Sequence, residues 1–88
     1  MAIITISCDG VTAEAGPQAA LDITAEFAEH RTWWSNVLCT WDGARLRLRA
    51  EGNWDDKGLA LMDEFSDCLS AYVADLGDGD LVVDSIVP

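Results

Sequence analysis

Asp42-Gly43-Ala44-Arg45-Leu46-Arg47-Leu48-Arg49-Ala50-Glu51 decides the fold of this chain. From Arg45 to Arg49 the residues alternate strictly between basic and apolar. A period of two is the mark of a β-strand with unlike faces. Leu46 and Leu48 then point one way, and Arg45, Arg47 and Arg49 the other. Asp42-Gly43 is a two-residue hairpin signal, because both residue types tolerate the positive φ that tight turns demand. The strand over Ala44–Glu51 is therefore the antiparallel partner of the segment before it, Trp33–Trp41. Gly52-Asn53 ends it.

Working outward, Asp55 to Leu76 reads as a long helix. Leu61, Met62, Phe65, Cys68, Leu69, Tyr72, Val73 and Leu76 fall on one stripe at 3.6-residue spacing, with Asp56, Asp63, Glu64 and Asp67 on the other side. Asn53 or Asp55 can cap its start, and Gly77 suits the position after its end. Upstream, Pro17 fits a first helical position, and Ala20, Ile23, Thr24 and Phe27 make an apolar face opposite Asp22, Glu26 and Glu29. That helix should end near His30-Arg31, beside the parallel long helix. Ala2–Cys8 is a strand with apolar residues on both faces, as a central strand has. A loop runs from Asp9-Gly10 through Gly16. Leu81–Val87 is the last strand.

The order is β-α-β-β-α-β. Residues 1–88 are read as a single small α+β domain of ferredoxin-like βαββαβ design, a two-layer sandwich. A four-stranded antiparallel sheet would carry two helices on one face and leave the other open. The strand order is left open. Ile4, Ile6, Phe27, Leu46, Leu48, Phe65, Leu69 and Tyr72 are the expected core, because they satisfy the helix and strand periods at once.

The formal net charge is -11, with 16 acidic against 5 basic residues. Such a field repels nucleic-acid phosphates and attracts basic proteins. Apolar runs are too short for a membrane span, and the N-terminus lacks a basic region before Ile3-Ile4, so no membrane, no signal peptide and a cytoplasmic location are expected. Cys8, Cys39 and Cys68 are odd in number and widely spaced, and His30 is the single histidine. That pattern supplies no tetrahedral metal site, so no metal or cofactor is expected and the thiols are read as small buried apolar groups. Asp78-Gly79-Asp80 is a turn, lacking the spacing of a calcium loop. No nucleophile motif lies beside His30 and no phosphate-binding Gly-rich loop is present, so the chain is not read as an enzyme.

Three surfaces remain as candidates. The acidic helix faces (Asp56, Asp63, Glu64 and Asp67, extended by Asp22, Glu26 and Glu29) are either solvated or meet a basic protein. The arginine stripe is either neutralised by carboxylates such as Asp84 or Glu51, or held for a partner, a second copy or an anionic ligand. Alternation places Trp33, Val37, Cys39 and Trp41 on one face of their strand and Trp34, Asn36, Leu38 and Thr40 on the other. Trp34 would then stand beside the arginines, able to stack on a guanidinium. The leading expectation is a non-enzymatic inhibitor or antidote of a basic protein, in the manner of immunity proteins, antitoxins and phage-encoded inhibitors. The alternative is a homodimeric small-ligand or sensor domain using Arg45, Arg47, Arg49 and Trp34 on the open sheet face. An acidic domain with some other role is the third possibility.

Overall fold

The computed structural model describes residues 2–55, 57–73 and 79–88. Among them the elements are β1 (Ala2–Cys8), α1 (Gly16–His30), β2 (Ser35–Trp41), β3 (Leu46–Gly52), α2 (Leu59–Tyr72) and β4 (Leu81–Val87). They form a ferredoxin-like α+β sandwich, with sheet order β2-β3-β1-β4 and every neighbouring pair antiparallel.

The period-2 reading of β3 holds along its length. Leu46, Leu48, Ala50 and Gly52 are buried under the helices, and Arg47 and Arg49 are exposed on the open side. Ile4, Ile6 and Cys8 of β1 lie beside them on the same inner face. Ile23 and Phe27 of α1, and Leu61, Phe65, Cys68 and Leu69 of α2, close the core from above. The three cysteines are free and buried. Burial, with the charges of Asp9 and Asp80, pushes the Cys8 thiol up to about 11. Burial and the neighbouring Cys68 and Cys8 push Cys39 to about 12. These thiols stay protonated at neutral pH.

Two glycines set the ends of β2. A Cβ on Gly16 would lie 2.3 Å from the Trp41 ring, so the bare first turn of α1 is what lets Trp41 lie against it. Gly52 does the same for Trp34, whose Cζ3 would be 2.8 Å from a Cβ there. The inner row of β3 thus shrinks from Leu46 through Ala50 to Gly52, and the space at its small end receives Trp34.

Here the strict alternation of β2 fails. Trp34 is only 5% exposed and lies on the helix side, not beside the arginines. The register shifts between Ser35 and Leu38, and Asn36 has φ of 50°. A bulge of this kind inserts an unpaired residue and reverses the facing of what precedes it. Cys39 and Trp34 therefore share the inner side although they are five positions apart, an odd spacing that strict alternation would put on opposite faces. Leu38 and Thr40 face outward, as expected.

The ends of α2 also differ from expectation. Asp55 is not inside the helix. Its buried carboxylate accepts the N–H groups of Ala60 (3.2 Å) and Leu61 (3.0 Å), capping a helix that begins at Leu59 after a left-handed Gly58. The helix stops at Tyr72, because Val73 is extended and drops into the core. Val73 fills the position given to Tyr72, which is 41% exposed and reaches instead to α1, where its hydroxyl donates to Glu26 Oε1 (3.1 Å). The readings of Asp56, Leu76, Gly77 and Asp78 fall outside the described residues. The helices are antiparallel rather than parallel: Glu26 meets Tyr72, while Arg31, just past the end of α1, meets Glu64, earlier in α2.

Candidate functional site

The open sheet face is answered from within the chain. Arg47 Nη1 lies 3.3 Å from Asp42 Oδ2, and its Nε lies 3.8 Å from Asp84 Oδ2. Asp84 is carried out onto this face by a second bulge, where the β1–β4 register shifts, and accepts a hydrogen bond from Ser7 Oγ (3.0 Å). Arg49 Nη2 lies 3.7 Å from Glu51 Oε2, which also accepts from Asn36 Nδ2 at 2.9 Å. Asp42 is turned by the hairpin so that one oxygen accepts the backbone N–H groups of Arg45 (2.7 Å) and Ala44 (2.9 Å). Those two bonds hold its carboxyl below the ordinary aspartate value, with Arg47 and Arg45 adding to the effect. Arg45 makes no ion pair among the described residues. With Trp34 removed to the other side, this face holds arginines and isolated apolar groups (Leu38, Val82, Val87) rather than an aromatic platform.

The second constellation lies where α1 ends, β2 begins and α2 passes over them. Glu64 sits about 60° from Leu61 around an ideal helix, on the flank of the apolar stripe. It therefore points into the seam between the helices and not to water. Its Oε1 accepts from Arg31 Nη1 (3.1 Å) and from the Trp33 indole N–H (3.0 Å), and its Oε2 accepts the Trp34 indole N–H at 2.7 Å. Glu26, on the corresponding flank of α1, faces Arg31 Nε at 3.6 Å, too long for a hydrogen bond, and leaves that buried nitrogen without one. The Arg31 guanidinium also lies 5.5 Å from the Phe27 ring centre. Burial works against its charge, but the bond to Glu64 and the charges around it outweigh that penalty and keep its pKa above the ordinary guanidinium value. Trp54 closes the corner, its ring centre 4.6 Å from that of Trp34 and tilted by 37°.

Of the seven acidic residues singled out from the sequence, Glu64 and Glu26 belong to this internal network. Asp63, Asp67 and Glu29 are exposed on the outer faces of the helices, and Asp22 is half-buried, accepting from Gln18 Nε2 at 3.0 Å. Asp56 lies outside the described residues. Arg31 and Trp54 were not among the candidates. The periodicity places Arg31 only at a helix end, and no local pattern links Glu64 to a tryptophan 31 residues away.

Comparison with known proteins finds no matching family, no similar curated protein and no similar solved structure. Among the described residues no helix is long and apolar enough to cross a membrane.

Proposed function

We propose that this chain is a non-enzymatic binding protein whose helix layer meets a basic protein, in the manner of an inhibitor or antidote. One observation carries the reading. Arg31, the cation in the seam between the helices, is committed to Glu64 and Glu26, while Asp63, Asp67 and Glu29 stand exposed on the helices. His30 offers only an exposed contact to Glu29 at 3.7 Å. The sheet side, by contrast, pairs Arg47 and Arg49 with its own carboxylates. Lys57, exposed just ahead of α2, offsets one of the helix charges, and the acidic residues outnumber it, so the helices present a net negative field that accelerates and orients encounter with a cationic surface.

The test starts with a tagged chain used to recover a partner from its native host, followed by association kinetics with the purified partner. Association should slow steeply with salt, and the double reversal Asp63→Lys, Asp67→Lys should slow it further while leaving the melting temperature nearly unchanged. Association indifferent to both salt and reversal would sink the proposal.

A second reading is self-association through the open sheet face, favoured by exposed Leu38, Val82 and Val87 and by Arg45. Sedimentation at high micromolar concentration decides it. A monomer removes this reading, and a dimer lost on replacing Arg45, Arg47 and Arg49 by glutamine sustains it.

A further inference from the structure

We infer that Trp33 and Trp54 form an arginine-reading corner on the helix layer, so that the basic partner docks with arginine, rather than lysine, side chains against these indoles. The inference rests on the proposed binding of a basic protein and names the chemistry of its contact.

Large aromatic side chains are normally covered, yet Trp33 is 54% exposed and Trp54 50% exposed. Neither is loosely held. The Trp33 N–H edge is turned inward onto both oxygens of Glu64 (3.0 and 3.3 Å). Trp54 leans on Trp34, which is itself fixed by its 2.7 Å bond to Glu64 and by the bare backbone of Gly52 beneath it. Exposed indoles held in place lose little entropy on binding, which is why such residues dominate interface energetics.

The charge beside them selects the occupant. Glu64 is filled by Arg31, Trp33 and Trp34, so it is not the acceptor for an incoming group. Asp63 and Asp67, one residue before and three after it on α2, are exposed. They share α2 with the Glu64 that holds Trp33, so the element that anchors this indole also carries free negative charge. A guanidinium suits both indole and carboxylate: it is planar, stacks on aromatic faces, is weakly hydrated and bonds a carboxylate with two N–H groups. An ammonium can satisfy the charge but not the stacking.

The full chain, labelled with nitrogen-15, is titrated with an oligo-arginine peptide and an oligo-lysine peptide of equal length and charge at about 0.15 M salt. The arginine peptide should bind more tightly by roughly two- to fivefold. It should move the indole N–H signals of Trp33 and Trp54 and leave that of Trp41, at the other end of β2, in place. In Trp33→Ala, Trp54→Ala the arginine preference should vanish, with both peptides binding as the lysine peptide does. Trp54→Ala alone breaks no bond to Glu64 and should remove part of the preference, and Trp33→Phe keeps a ring face if the alanine variant unfolds. Equal affinity for the two peptides, or a preference that survives loss of both indoles, overturns the inference. Loss of all charge-dependent binding is a separate result, read from Asp63→Lys, Asp67→Lys: if that variant binds both peptides as the parent does, the basic-partner reading fails as well.

Discussion

On the open face of the sheet, Arg47 meets Asp42 and Asp84 at 3.3 and 3.8 Å, with the side chains 48% and 32% exposed. In the seam between the helices, Arg31 meets Glu64 at 3.1 Å, with the side chains 20% and 14% exposed. Both are arginine–carboxylate pairs, but water does different work at each. On the sheet it solvates the partners almost as well apart as together, so the pairs cancel charge and contribute little to stability. In the seam the ions have lost most of their hydration, and each depends on the other and on the indole donors around them. An ion pair's worth follows from how much water its partners would regain when parted, not from its presence.

The largest expected effect breaks the comparison at Glu64. Glu64→Ala leaves the Arg31 charge facing Glu26 alone and strips the buried Trp34 N–H of its acceptor. Removing one partner of a largely buried, hydrogen-bonded charge pair should cost about 3 kcal/mol, read as a shift in denaturation midpoint at unchanged slope. Glu64→Gln keeps one acceptor oxygen and should lose less. A Glu64→Ala protein as stable as its parent would show that the seam is solvated after all.

Gly52→Ala tests the floor of the same corner. The new Cβ would lie 2.8 Å from Trp34 Cζ3 and 3.3 Å from Trp54 Nε1, so the stacked pair must shift. Overpacking of this order costs about 1–3 kcal/mol, and the displaced indoles should report it as altered tryptophan fluorescence. If the substitution is silent in both measurements, Trp34 is not held by that close approach.

The sheet face should give far less. Arg47→Gln is expected to cost under about 0.5 kcal/mol, since its two carboxylates remain in water. A larger loss would erase the distinction between the two regions. Asp42 adds a sign to this side. Its carboxyl is held below the ordinary value of 3.8, so the stability it contributes is present above that pH and is lost as pH falls through the lowered value. Asp42→Asn should therefore remove the pH-dependent part of this stability and flatten the acid limb of the stability curve, and an acid limb as steep as the parent's would show that the hairpin does not hold Asp42 in this way.

How much of each region could be read from the sequence follows the same division. The facing of the β3 stripe was legible because its meaning is local: alternation fixes the faces, whereas which carboxylates meet Arg47 and Arg49 depends on strands and a hairpin that the stripe itself does not specify. The helix corner was not, because one residue decides it. Asn36 adopts a positive φ, as asparagine does more readily than other non-glycine residues, and the resulting bulge carries Trp34 from the open face to the covered one. Asparagine in a strand was a usable signal for that bulge. Nothing local said that Glu64 would turn to tryptophans on another element, or that Val73 would take the last core position from Tyr72. A helical period gives a side chain its direction, and only the packed neighbours say whether it is covered.

Tyr72 offers the smallest and cleanest measurement on the seam. It is the chain's single tyrosine, so absorbance near 295 nm follows one titration. Its hydroxyl donates to Glu26, a bond that only the protonated phenol can make, and the carboxylate charge further opposes a phenolate. The phenol pKa is thereby raised above its ordinary value of 10.0. A raised folded-state pKa means that the interaction's stability is fully present below pH 10 and is lost as pH rises through the folded value. Glu26→Gln removes the charge while leaving an acceptor, so the titration midpoint should fall toward the ordinary value. Glu64→Gln, which touches the other carboxylate of Arg31, should move it far less. A midpoint that ignores Glu26→Gln, or responds more to Glu64→Gln, would mean that the end of α2 does not lie on α1 in the way that brings Tyr72 to Glu26.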